Sequence, residues 1–286
     1  MDRLAALFNR FTVSARTFRA GGLCGVNAIG EDEPRGQLHV VREGPLQIEH
    51  LGPCKPKKLK VGEPSLLLYP RPMPRRFITD PERGANLVCA HIEFQGGAAN
   101  PIAAALPDVM QLPLSSVPEV EPVLSLLFAE ADAHNCGRQA MLDRLFEVLL
   151  IQVLRALMEG SLVRSGMLAG LADSRLRNAL VSIHEKPQRN WSLEELAAVA
   201  GMSRTAFANA FRETVGVTPG AYLQTWRVGL AQELLDEGHK LKHIAAAVGY
   251  SGEAALSRAF RAHTGTSPGQ WQRARAGEPA QSAQAA

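Results

Sequence analysis

Two stretches of the chain are near-copies of each other. Residues 202–224, MSRTAFANAFRETVGVTPGAYLQ, and residues 250–272, YSGEAALSRAFRAHTGTSPGQWQ, carry similar residue types in the same order. Ala197, Gly201 and Ser203 match Ala245, Gly249 and Ser251 at an offset of 48. Phe207, Phe211, Arg212, Gly216 and Pro219 match Leu256, Phe260, Arg261, Gly265 and Pro268 at an offset of 49, so one residue is gained just after the turn. A duplication of this kind restricts the C-terminal part to two copies of one supersecondary unit.

Each copy has one physical plan. A short helix (193–199, then 241–247) packs Leu193, Leu196 and Ala197, or Leu241, Ile244 and Ala245. A tight turn follows, with Gly201 or Gly249 where a positive φ is cheap. Ser203 or Ser251 sits near the start of the next helix, which buries Phe207, Ala210 and Phe211, or Leu256, Ala259 and Phe260, at i, i+3, i+4. Gly216 and Gly265 end these helices, and Thr218-Pro219 and Ser267-Pro268 start the following ones. Helix, Gly-containing turn, helix is the helix-turn-helix plan, and two in tandem are far more specific than one. Between them PGAYLQTWRVGLAQELLDEG (219–238) reads as one helix of about 30 Å. A spacer of that order suits two recognition helices in successive major grooves, roughly 34 Å apart.

Upstream of the repeat, Ser192-Leu193-Glu194-Glu195 is a capping box. Asp173 or Ser174 is placed to cap SRLRNALVSIHE, which Pro187 stops. The stretch GSLVRSGMLAG (160–170) reads as a linker. In residues 138–159 the positions 142, 145, 146, 149, 150, 153, 154 and 157 form one apolar stripe, and 118–133 is also helical in spacing. Residues 36–95 read as strands: 37–41, 46–51, 65–69 and 86–94, separated by Gly and Pro clusters. The fold class expected is therefore α+β: an N-terminal antiparallel β-barrel or sandwich with covering helices, then an all-α domain of two helix-turn-helix motifs on a linker helix. The domains are expected at 1–165 and 172–275, with 276–286 a disordered tail.

Charge places the basic excess in the helical part. Residues 1–170 hold 18 Lys+Arg and 18 Asp+Glu, whereas residues 171–286 hold 13 and 10. No apolar run reaches the roughly 20 residues that span a bilayer, and the N-terminus is a poor signal peptide. A cytoplasmic protein without a membrane partner is the expectation. None of Cys24, Cys54, Cys89 and Cys136 forms a C-x-x-C pair, and His39, His50 and His91 are scattered over three strands, so no metal site is expected. Cys54 lies in GPCKPKKLK, beside lysines that would favour a thiolate.

Residues 173–274 resemble the DNA-binding domain of the AraC/XylS transcription regulators, on LEELAAVAGMSRTAFANAFRETVGVTPGAYL and the more diagnostic IAAAVGYSGEAALSRAFRAHTGTSPGQWQR. The strand-rich half resembles the cupin-type (small jelly-roll) effector domain of one branch of that family. Its best match is LKVGEPSLLLYPRPMPRRF (59–77), with Glu63-Pro64 where Gly-Asp is usual and Arg75-Arg76 where His is usual. With the phenylalanines inward, the outward faces are Arg204, Thr205, Ala208, Asn209 and Arg212, and Glu253, Ala254, Ser257, Arg258 and Arg261. The resemblance places seven of these, Thr205, Ala208, Asn209, Glu253, Ala254, Ser257 and Arg258, toward the groove. Asn reads adenine, Arg reads guanine and Glu accepts from cytosine. Two are Ala, which leaves methyl contacts and DNA shape to carry more of the readout.

The resemblance implies a sequence-specific regulator, expected as an activator, whose partners are double-stranded promoter DNA, RNA polymerase and a second copy of the chain. It extends to a branch containing reactive-chlorine-sensing activators, whose members also carry cysteine at the positions of Cys24 (GGLCG) and Cys89 (NLVCAHIEF). Oxidation of these two thiols is one signal so implied. The alternative signal is a small-molecule effector in the jelly roll. No catalytic residue or cofactor is expected. A cupin enzyme fused to a DNA-binding module is the less favoured class, and a signal-free architectural protein a third.

Overall fold

The structure, a computed structural model, describes residues 2–29, 35–52, 55–95, 100–160, 163 and 165–275. The chain forms two compact units. One comprises Thr12–Leu162; the other joins Met1–Phe11 to Val163–Ala286.

The first unit is an antiparallel two-sheet jelly roll. One sheet has five strands in the order β1 (Val13–Leu23), β8 (Ala85–Phe94), β3 (Gly36–Glu43), β6 (Ser65–Tyr69), β9 (Met110–Pro113). The other has four, β2 (Val26–Ile29), β7 (Arg75–Thr79), β4 (Leu46–His50), β5 (Lys58–Val61). Between them Leu23, Val41, Ile48, Leu67, Phe77, Leu87 and Cys89 form part of a buried core. Strands β3, β4, β6 and β8 lie where the apolar runs predict them. Strands β1, β2, β5, β7 and β9 carry Arg, Lys or Gln among their apolar positions, or are only four residues long, and were not anticipated.

Helix α3 (Glu121–Asp132) follows two short 3-10 turns, and α4 (Arg138–Glu159) has the bounds that its apolar stripe predicts. A polar row of α4 closes the exposed edge of β1. Asp143 accepts from the Thr17 amide at 2.6 Å, Glu147 accepts from the Ala15 amide at 3.3 Å, and Gln139 donates to the Thr17 carbonyl at 2.9 Å. An edge strand with free amides would recruit another strand; here side chains at i, i+4, i+8 of one helix occupy it. On other faces, Leu126, Met141 and Val148 remain exposed.

The second unit is all helical. Helix α1 (Ala5–Arg10) packs with α6 (Arg177–Glu185) and belongs to this unit rather than to the barrel. The expected barrel domain 1–165 therefore loses its first eleven residues. Leu4, Leu7 and Phe11 are buried, the Phe11 ring meets the edge of Trp226 at 5.0 Å, and Arg10 donates to the Glu185 carbonyl at 3.0 Å. Helix α5 (Met167–Ala172) begins within the stretch read as a linker and runs two residues past it. Asp173 caps the turn after it, accepting from the Arg175 and Leu176 amides, so α6 starts at Arg177 and not at Ser174. Short helix α2 (Pro101–Ala105), in the barrel unit, was also unanticipated; its cap is Asn100.

The tandem motifs follow as α7 (Leu193–Val199) and α8 (Arg204–Val215), linker α9 (Pro219–Asp236), then α10 (Leu241–Ala247), α11 (Glu253–Thr264) and α12 (Pro268–Arg275). The capping box at Ser192 and Glu195 is present, with both reciprocal bonds. The expected tail 276–286 and Cys54 lie outside the described residues.

Candidate nucleic-acid interface

The second helix of each motif, α8 and α11, is built on the same inward triad. Phe207, Ala210 and Phe211 are buried in α8; in α11 the counterparts Leu256 and Phe260 are buried and Ala259 is half-buried. Phe207 and Phe211 lie 5.6 Å apart, Phe211 meets Tyr222 of α9 at 5.7 Å, and Phe260 meets Trp271 of α12 at 5.9 Å. With those faces spent on packing, the opposite faces are open. Arg204, Thr205, Asn209, Arg212, Glu253, Ala254, Arg258 and Arg261 are exposed, while Ala208 and Ser257 are half-buried. All ten residues predicted to face DNA are accessible.

The copies differ at their starts. Ser203 is the N-cap of α8 and its hydroxyl accepts from the Ala206 amide at 3.3 Å. In the second copy the inserted residue moves Ser251 out of that role, and Gly252 takes the N-cap position with no side-chain cap bond. The first position of each helix also differs. Arg204 is held by Glu194 of α7 at 3.0 Å, whereas Glu253 stands at its place in α11.

The segment ahead of the first motif and the turn of the second meet at the linker helix. Arg227 of α9 is buried; its Nε donates to the Pro187 carbonyl at 2.7 Å and Nη2 donates to the Arg189 carbonyl at 3.0 Å. Burial lowers its pKa from the ordinary arginine value. Gly249 in the second turn has φ +84°, and a Cβ there would stand 2.6 Å from the Gln188 carbonyl oxygen and 2.8 Å from Arg227 Nη2. That close approach requires glycine. Beneath the first copy, buried His184 stacks on Trp226 at 3.9 Å and pairs through Nε2 with the Tyr222 hydroxyl at 2.7 Å. Burial, aided by Arg10, brings its pKa down to about 3. Sequence reasoning did not single out Arg227 or His184; a lone polar residue within an apolar stripe is the only signal either leaves.

Beside α8 lies an open cleft of about 310 Å³. Its floor is Leu193, Leu196, Pro219 and Leu223, with Asn209 and Arg212 at its rim.

The barrel interior holds a polar cluster that the sequence showed only as scattered residues. Arg75 is buried, with its guanidinium 3.7 Å from the Tyr69 ring centre. Its Nη1 donates to the Met73 carbonyl at 2.8 Å, and its Nη2 pairs with Gln37 Oε1 and with His39 Nε2, the latter at 2.6 Å. Burial, then Arg75, then His91 push the His39 pKa well below its usual value, so the neutral ring accepts from the guanidinium. His91 faces Gln37 at 3.5 Å and stacks on Phe18 at 4.2 Å. His50 lies apart, between the Pro56 carbonyl and the Tyr69 hydroxyl. Among the described residues no three His, Cys, Asp or Glu side chains converge as a metal site.

The structure does not bring Cys24 and Cys89 together. Cys24 is exposed next to Leu23, which pairs with Ala85. Cys89 is four residues further along β8, about 13 Å at the usual strand rise and beyond the roughly 7 Å reach of a disulfide. Cys89 is fully buried, which pushes its thiol pKa upward and leaves it protonated.

A family model described as Cupin matches residues 2–159, and one described as Helix-turn-helix domain matches residues 196–274. An AraC-like transcription regulator of Streptomyces lividans is 33% identical over 95% of this chain and 97% of its own length. An uncharacterized HTH-type transcriptional regulator of Haemophilus influenzae is 32% identical over 65% of this chain, which spans 62% of that relative's length. The RCS-specific HTH-type transcriptional activator RclR of Escherichia coli is 26% identical over 72% of this chain and 74% of its own. The fold, the tandem motifs and the full-length match agree: the chain belongs to the AraC-like transcription regulators, with a cupin domain preceding its helix-turn-helix domain.

Proposed function

We propose that the chain is a sequence-specific transcription regulator, acting as an activator, that reads promoter DNA with α8 and α11. One observation carries this reading. Two exposed helix faces, each backed by a packed aromatic or aliphatic triad, are joined by the unbroken 18-residue α9. Asn209 and Arg258 are the side chains suited to hydrogen-bond base edges; Thr205, Ala208, Ala254 and Ser257 provide methyl or hydroxyl contacts, and Glu253 an acceptor for cytosine. Selection of bound duplexes from a random pool, with the full-length protein, tests it. One enriched motif with two half-sites about one helical turn apart is expected, and Asn209→Ala and Arg258→Ala should each relax one half-site. Enrichment of no motif overturns it.

The barrel receives the signal. Support for a small-molecule effector is the buried Arg75–Gln37–His39 cluster with His91, a set of fixed polar groups inside an apolar shell. Support for an oxidant is the exposed Cys24 and the likeness to an RCS-specific activator. Cys24 would then act alone or with a thiol other than Cys89. Family membership favours a regulator over a cupin enzyme. RNA polymerase contact, pairing of two copies through the exposed Met141 and Val148 face of α4, and a cytoplasmic site complete the proposal. No helix among the described residues is long and apolar enough to cross a membrane.

A further inference from the structure

The two helix-turn-helix motifs share a plan and differ in charge. In such a motif the first helix crosses the phosphate backbone while the second enters the groove. In the first copy the crossing helix α7 begins Ser192-Leu193-Glu194-Glu195; in the second, α10 begins Lys240-Leu241-Lys242-His243. The offset of 48 sets Lys242 opposite Glu194, and the offset of 49 sets Glu253 opposite Arg204. The Glu194–Arg204 ion pair at 3.0 Å shows that the start of the crossing helix lies against the start of the reading helix.

Across residues 192–216 there are two cations, Arg204 and Arg212, against three acids, Glu194, Glu195 and Glu213. Arg204 is tied to Glu194, and Glu195 to Arg189 at 2.6 Å. Across residues 240–265 there are four cations, Lys240, Lys242, Arg258 and Arg261, against one acid, Glu253. All four are exposed and make no ion pair among the described residues.

Resting on the DNA-binding reading above, we propose that the second motif is the electrostatic anchor on the phosphate backbone, with Lys240 and Lys242 as its phosphate contacts. The first motif is a selective reader that adds little sequence-independent affinity. Glu194 both repels the backbone and holds Arg204 back from it. The chain would then settle on DNA through α10 and α11 first, and α8 would engage only where its bases match.

Salt dependence measures this directly, because each phosphate neutralised by a lysine or arginine adds about 0.9 to the slope of log K against log salt. The probe is a random-sequence 30-base-pair duplex, titrated with full-length protein between about 50 and 200 mM salt. Lys240→Gln with Lys242→Gln should lower the slope by about 1.8. Glu194→Gln should raise affinity for the same duplex, by freeing Arg204. Circular dichroism melting confirms that these surface variants fold. An unchanged slope in the double lysine variant, or a larger loss from Arg204→Gln with Arg212→Gln, overturns the asymmetry. If the unmodified protein does not bind the duplex even at low salt, the DNA-binding reading itself fails, a different result from an unmoved slope.

Discussion

Arg227, in the middle of the linker helix, lies under the Tyr250 ring of the second motif, 5.6 Å from its centre, while its nitrogens grip the carbonyls of Pro187 and Arg189 ahead of the first. One side chain thus contacts the segment ahead of the first copy and the turn within the second. Arg227→Ala should destabilise the helical unit by roughly 2–3 kcal/mol, the value of hydrogen bonds from a charged donor. Arg227→Lys should recover little, since one ammonium cannot reproduce the planar fork that reaches two carbonyls. Denaturant melts of the three proteins check this.

The unequal caps give a matched pair of expectations. Ser203→Ala should cost about 1 kcal/mol, because it leaves the Ala206 amide without its acceptor. Ser251→Ala should cost close to nothing, because Gly252 occupies the N-cap of α11. Equal losses in thermal melts would show that the inserted residue does not shift the cap.

Two buried groups make stability depend on pH in opposite directions. His184 is neutral in the fold, with its pKa at about 3, and protonates near 6.5 when unfolded. Its contribution is full above about 6.5 and is lost as pH falls toward 3. Glu233 in α9 is 5% exposed, and burial, with Glu237 and Asp236, pushes its carboxyl up to about 8 from 4.5. Its contribution is full below 4.5 and is lost as pH rises through 8. Glu233→Gln should therefore flatten the stability profile between pH 5 and 8 and leave the acid limb unchanged.

Thiol reactivity should follow exposure. Alkylation of the folded protein, counted by mass, should label Cys24 and Cys136, and reach Cys89 only after denaturant is added. Hypochlorous acid should yield no Cys24–Cys89 disulfide in the folded chain. Recovery of that disulfide from protein oxidised under native conditions would mean that strand β1 slides or detaches.

The packing of the N-terminal segment is testable at Phe11. Phe11→Ala should cost about 3 kcal/mol or more through the cavity it leaves. It should also shift the emission of Trp226, read in a protein with Trp191 and Trp271 replaced by Phe.

Legibility of the chain tracked how repetitive and how apolar each segment is. The helices 193–199, 241–247 and 138–159 could be bounded from spacing alone, and the structure places them there. The ten residues expected to face DNA follow from the wheel positions and the resemblance; eight of them are exposed and Ala208 and Ser257 half-buried, because the inward triads turn this side of each helix outward. Strand β1 was missed, since VSARTFRAGGL alternates poorly and gains its partners from β8 and α4, both remote in sequence. The Arg75–His39 cluster was missed for a related reason: Arg75 comes from β7 in one sheet and Gln37, His39 and His91 from β3 and β8 in the other, and arginine inside a barrel contradicts any local burial rule. Helix α1 was read with the barrel because it adjoins it in sequence; the buried faces of Leu7 and Phe11 decide otherwise.

Because Met1–Phe11 belongs with Val163–Ala286, the jelly roll is an insertion within the helical unit, bounded by two chain crossings. A protease cut at residues 160–166 would therefore leave the DNA-reading half still tied to the barrel, held by the buried side chains of Leu4, Leu7 and Phe11. A fragment beginning at residue 163 would lack part of its own core. A tag joined directly ahead of residue 2 would ride on the helical unit, not on the jelly roll.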